Sequence, residues 1–233
     1  MKRRHPRDFS NPRNAAKRQW QLVKDLWHAR SDGYSHLFGI EWFTLTFLAV
    51  IQFLLPTLYF RTFFGRKYED RKLTIEKWAI GKPVVLCAFL FFAKDVGISA
   101  YLGAYSLADL YAYLLGLVFL KDYYSRPISH NRNLILLQVN FLESACAFAL
   151  LYQGTHSLQT SAGISVNQPL DILYFSFITA ATVGYGDIIP TSRSIPILQV
   201  LASFVFAGVV LTTFLSRAQD GEVAGTKNSS ERL

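Results

Sequence analysis

Cysteine, acidic residues and clustered histidines are all in short supply. The two cysteines among 233 residues, Cys87 and Cys146, both fall inside apolar runs, and they read as small buried hydrophobes rather than as a disulfide framework. The five histidines, His5, His28, His36, His130 and His156, are scattered without the spacing of metal ligands, and each reads as a loop residue. Neither a phosphate loop nor a nucleophile motif occurs, so nothing in the sequence argues for an enzyme or for a cofactor. No cleavable signal peptide is expected, because the basic start is followed by a long polar segment instead of a short apolar one. Acids number 16 against 24 Lys and Arg, for a net charge of +8. The basic residues sit between apolar spans, where they report topology and attraction to anionic lipid headgroups, and nucleic acid is discounted as a partner.

What is abundant is apolar surface. Hydrophobic residues make up 51% of the chain and aromatics 15%, arranged in runs separated by charged loops. That arrangement predicts an all-α polytopic membrane protein. Residues 1–30 carry nine Lys or Arg and two acids, with Pro6 and Pro12, and the first part is expected to be disordered. From Asn14, Trp20, Val23, Leu26, Trp27 and Arg30 recur at helical steps. This suits a helix on a membrane surface or one packed against the protein's cytoplasmic side.

Residues 42–60 form nineteen positions without a charge, enough at about 1.5 Å per residue to cross a hydrocarbon core of about 30 Å. Residues 61–82 hold seven basic and three acidic side chains and read as a solvated loop or short helix. A short apolar run, 83–93, crosses only if its neighbours are included and Lys82 and Lys94 snorkel. A longer run, 101–120, is interrupted by Asp109 alone, and a tight turn around 97–103 would join the two into a hairpin. Lys94 and Asp95 are read as a pair near a membrane face or as snorkelling residues. Two further spans, 134–152 and 195–215, flank a polar stretch, Pro169, and a short apolar segment, 172–181.

Between that segment and Ile188-Ile189-Pro190, read as a turn, stand Thr182, Val183, Gly184, Tyr185, Gly186 and Asp187. Glycine at alternate positions lets the backbone turn successive carbonyls in one direction. This sequence resembles the selectivity filter of potassium channels, of the single-filter, tetrameric type found in small prokaryotic members; TVGYG is the standard example of a carbonyl-lined filter. The resemblance covers about residues 132–217. It implies that residues 171–181 are a re-entrant pore helix, that 134–152 is the outer helix and that 195–215 is the inner helix. The carbonyls of Thr182, Val183, Gly184 and Tyr185, with the Thr182 hydroxyl, would replace the hydration shell of a permeant K⁺. Gly184 and Gly186 would permit the backbone shape, Tyr185 would pack outward, Thr179 would complete the usual threonine pair, and Asp187 would concentrate cations at the mouth. One filter per chain implies a homotetramer.

The expected organisation is a basic segment, 1–38, with room for an amphipathic helix; a membrane region, 39–131; a pore domain, 132–217; and a short tail, 218–233, too short for a folded ligand-binding domain. About five membrane helices, a pore helix and a filter loop are expected, in the plasma membrane. The filter's orientation puts the basic N-terminus outside, against the positive-inside rule, so the side of the N-terminus stays open. Lys121, Arg126 and Arg132 are too few and wrongly spaced for a voltage sensor. Counting from Pro190, the family's usual glycine hinge falls on Phe206, with Gly208 the nearest glycine. Phe206 would narrow the pore or simply pack among aromatics, and the two form the candidate gate. Glu143 and Asp109 are charges inside apolar spans and are candidates for an intramembrane polar role; for Glu143 a hydrogen bond to a neighbouring helix and support of the filter or gate are both open. The expected function is a K⁺-selective channel subunit. The alternatives are a weakly selective cation channel and a nonconducting, lipid-responsive membrane adaptor.

Overall fold

A computed structural model describes residues 19–24, 26–27, 39–51, 55, 68–93, 95–119 and 130–230. Expectations for residues 1–18, Arg30, Lys94, 56–60 and 121–129 lie outside these. The described elements are α1 (Ile40–Ile51), α2 (Tyr68–Phe92), α3 (Val96–Phe119), α4 (His130–Thr155), β1 (Leu158–Thr160), α5 (Pro169–Ala180), β2 (Ile188–Pro190) and α6 (Ser194–Ser230). Among the described residues, three stretches are long and apolar enough to cross a membrane: Val96–Phe119, Leu134–Thr155 and Ser194–Leu215. The chain is an α-helical membrane protein, with one small antiparallel ribbon among the described residues. The other two expected spans fall short of that measure within the described residues. The apolar part of α1 is Trp42–Ile51, and seven charged residues fall in α2, all at or before Lys82.

Several boundaries differ from expectation. Helix α2 starts within the charged stretch read as a solvated loop or short helix and continues past Pro83 to Phe92, longer than expected; a charged sequence can be helical, and charge marks only where it is solvated. The predicted turn at 97–103 is helix, and the break between α2 and α3 comes earlier, with Ala93 and Asp95 outside helix. There Asp95 Oδ1 accepts from the amides of Gly97 at 2.9 Å and Ile98 at 3.2 Å, capping the first turn of α3. The residues read as a turn, Ile188-Ile189-Pro190, are β2. It pairs with β1 in the register Leu158↔Pro190, Gln159↔Ile189 and Thr160↔Ile188, as two β-branched residues in succession favour.

Contacts divide the chain into two units, Met1–Val84 with Tyr105–Arg126, and Val85–Ala104 with Pro127–Leu233. In the first, Leu26, Leu45, Leu48 and Ala49 form a buried cluster with Leu22, Val23 and Leu115 against it. Gln19 Nε2 donates to the Ala49 carbonyl at 2.9 Å, and Trp42 Nε1 donates to the Leu26 carbonyl at 3.0 Å. The described helical residues near the N-terminus are therefore packed against α1. Lys82, expected to snorkel, lies 3.1 Å from the buried carboxylate of Asp109.

In the second unit α4 is the centre. Every residue from 143 to 150 is buried, more than one face of a helix, because α5 and α6 lie on one side and residues 85–104 on the other. On that second side small residues set the spacing: a Cβ at Gly103 would stand 2.7 Å from the Ala147 carbonyl oxygen, and one at Gly154 would overlap the backbone of Ala100. Gln153 Nε2 reaches the Leu90 carbonyl at 2.9 Å, and the free thiols of Cys87 and Cys146 touch at 3.0 Å.

Candidate functional site

The pore-helix candidate, α5, begins with Pro169 at its first position and Asp171 in its first turn. Proline there loses no hydrogen bond, and the acid suits the positive end of the helix. Its far end continues into the glycine-rich segment through a defined cap. The Thr182 amide donates to the Thr179 carbonyl at 3.0 Å, and the Val183 amide donates to the Ile178 carbonyl at 2.8 Å. These are the paired bonds of a Schellman cap, with Thr182 at the left-handed position, φ +59°, that glycine usually occupies. For a β-branched residue this conformation costs roughly 1–2 kcal/mol. Backbone strain of this kind persists where surrounding structure enforces it.

Left-handed φ recurs at every second residue, +59° at Thr182, +56° at Gly184 and +83° at Gly186, while Val183 and Tyr185 between them keep negative φ. An ordinary strand points successive carbonyls to opposite sides; alternating handedness turns them toward one side. The segment is held at both ends, by the cap from α5 and by the Ser161 amide, which donates to the Asp187 carbonyl at 3.0 Å just ahead of β2. All residues from 181 to 187 are nonetheless exposed. A strained, clamped and uncovered backbone is suited to offering carbonyl oxygens to something outside its own chain.

Around it, the Tyr185 ring, 71% exposed, stacks on Tyr174 with centroids 6.5 Å apart and planes 3° apart. Tyr174 also lies beside Asp187, so the acid at the end of the segment is next to the helix that precedes it.

The remaining predicted residues lie as follows. Thr179 contributes its carbonyl to the cap. Phe206 is buried against Phe141, with ring centroids 5.6 Å apart. Gly208 is exposed, and nothing within 4 Å opposes a Cβ there. Glu143 is fully enclosed in α4, near Cys146. Asp109 belongs to the first unit, where it pairs with Lys82. Sequence reasoning missed Gln199, Ser176 and Tyr152, which are buried in the pore unit and linked to one another. The available signal was a single amide, Gln199, in an otherwise apolar stretch of the last helix.

Helix α6 leaves an uncovered side. Only 22% of its apolar span is buried, against 56% for that of α4. Gln199, Ala202, Phe206 and Val209 form the covered stripe, while Leu198, Leu201, Phe204 and Leu211 remain exposed.

Residues 139–220 match the family model described as Ion channel. The filter-like backbone lies inside that match, which takes in about a third of the chain. The chain is 40% identical over 87 residues to two pore potassium channel b of Oryza sativa subsp. japonica, covering 37% of this chain and 23% of that protein. It is 43% identical over 60 residues to two-pore potassium channel 1 of Arabidopsis thaliana, covering 25% of this chain and 16% of the relative. The chain thus spans less than a quarter of the length of the curated relatives it matches. No solved structure gives a significant match.

Proposed function

We propose that the chain is the pore subunit of a potassium-selective channel that conducts K⁺ passively through a filter completed by four copies. A dehydrated K⁺ must recover the oxygen contacts it leaves in water, and rings of neutral carbonyls supply them at suitable strength. The carbonyls of Thr182, Val183, Gly184 and Tyr185, with the Thr182 hydroxyl, line the successive ion sites. Gly186 turns the chain out of the filter, Thr179 supports its base, and Asp187 raises the local cation concentration at the mouth.

The observation that carries this reading is the left-handed φ at Thr182, Gly184 and Gly186 in a segment that is clamped at both ends and exposed throughout. The potassium-channel names of the relatives support K⁺ as the permeant ion. A single TVGYGD per chain and the bare side of α6 support assembly of four copies, whose inner helices would cover one another. In this reading residues 132–217 are the pore domain, 39–131 a membrane region without a voltage sensor, 1–38 a basic segment near anionic headgroups, and 218–233 a tail. Gly208 is the more accessible candidate for a gate hinge, Phe206 packs behind it, and the plasma membrane is the site of action.

The test is reconstitution of the purified chain in liposomes, with K⁺ and Na⁺ efflux compared and the mass of the assembly measured in detergent. Selective K⁺ efflux from an assembly of four supports the proposal. Equal K⁺ and Na⁺ efflux would indicate a weakly selective cation channel, and a stable assembly without efflux would indicate a nonconducting adaptor.

A further inference from the structure

Each helix of the pore unit contributes one neutral polar side chain to a sealed cluster: Tyr152 near the end of α4, Ser176 midway along α5 and Gln199 in the second turn of α6. Tyr152 is 1% exposed, and Ser176 and Gln199 are fully enclosed. The Tyr152 hydroxyl donates to Gln199 Oε1 at 2.8 Å. Gln199 Nε2 donates to the Ser176 carbonyl at 2.8 Å and contacts its Oγ at 3.1 Å, while the Ser176 hydroxyl donates to the Ala145 carbonyl at 2.7 Å.

The directions of these bonds are fixed by donor counting. The Ser176 proton is committed to Ala145, so its Oγ can only accept from Gln199. Turning the Gln199 amide over would set its oxygen against the Ser176 carbonyl. One amide therefore reads both neighbouring helices at once, with a single permitted orientation.

Ser176 lies two residues before Ile178, whose carbonyl receives the Val183 amide at 2.8 Å and the Gly184 amide at 3.4 Å. A shift of α5 at Ser176 is passed directly to the start of the filter segment. The geometry points to Gln199 as a positioning residue for ion selectivity. By tying α5 to α4 and α6 together, it sets the position at which the pore helix presents the Thr182 and Val183 carbonyls. This assignment rests on the channel reading above. Gln199 touches no ion; it acts through Ser176 and the helix that carries it.

The test compares the full-length wild type with Gln199→Leu, Tyr152→Phe and the double variant. K⁺ and Na⁺ permeability ratios are measured from reversal potentials in planar bilayers, with thermal unfolding in detergent as a parallel reading. Tyr152→Phe keeps the ring and its edge contact with Phe175, 5.1 Å between centroids, and removes only the hydroxyl. Gln199→Leu is expected to lower the K⁺ preference about ten-fold, as for loss of a buried hydrogen-bonding group. Tyr152→Phe is expected to lower it less, and the double variant no further than Gln199→Leu alone, because Tyr152 acts only through the amide. A purely structural role would lower the unfolding temperature and leave the permeability ratio unchanged; that result overturns the assignment. If Gln199→Leu does not assemble, an unchanged ratio in Tyr152→Phe overturns it equally. A wild type without K⁺-selective current overturns the channel reading, and this assignment with it.

Discussion

The Val183 amide donates to the Ile178 carbonyl across 2.8 Å, so the first carbonyls of the 182–187 segment are an extension of α5 and not a free loop. This bond depends on the left-handed turn at Thr182, and the pattern continues at Gly184 and Gly186. Alanine at Gly184 meets no atom of its own chain within 4 Å, so its cost there is conformational, about 1–2 kcal/mol in each chain. Gly184→Ala should therefore assemble almost normally yet lose K⁺-selective efflux. Liposome flux beside size-exclusion profiles checks this, and wild-type selectivity in the variant would count against the carbonyl geometry.

Lys82 and Asp109 are expected to be worth more together than apart. Their 3.1 Å contact leaves Asp109 almost wholly buried and the Lys82 side chain 18% exposed. Lys82→Met leaves a buried carboxylate without this cation and should destabilise by up to about 3 kcal/mol, whereas Lys82→Met with Asp109→Leu should recover most of the loss. A double-mutant cycle on thermal unfolding in detergent measures the coupling; additive effects would show that the pair contributes little.

At Gly154 the constraint is space. A side-chain carbon there overlaps the Ala100 backbone, which is not free to move as a side-chain tip would be. Gly154→Val should cost at least about 1–3 kcal/mol through overpacking and lower the yield of assembled protein. An unfolding temperature equal to the wild type would mean that α3 and α4 do not approach this closely.

Cys87 and Cys146 are free thiols in contact, Sγ to Sγ 3.0 Å. Diamide added to purified protein should oxidise them to an intramolecular disulfide, each thiol losing its proton and the diazene taking up the two electrons. Intact mass after alkylation should show two cysteines protected in the wild type and none in Cys87→Ser. Full alkylation of oxidised wild type would place the two helices further apart.

The parts legible in the sequence were those whose causes are local. Residues 182–187 announce themselves through alternate glycines and hydrophobic flanks, and Pro169 marks the start of α5. What escaped depends on partners distant along the chain: Tyr152 and Gln199 are 47 residues apart, and Ser176 and Gln199 are 23 apart. A neutral amide carries no large desolvation penalty to draw notice, as Glu143 and Asp109 do. Glycines at 97 and 103 suggested a turn, but both lie within α3, and Gly103 is small because the Ala147 carbonyl stands against it. Phe206 was weighed by its count from Pro190, and only the position of Phe141 shows which way its ring is directed.

The most direct measurement is the density of the purified assembly in K⁺ and again in Na⁺. A ring of four chains around one axis is expected, with the 182–185 carbonyls directed inward and ordered ion density between successive rings in K⁺. An assembly without a four-fold axis, or carbonyls of this segment directed away from it, would contradict the account.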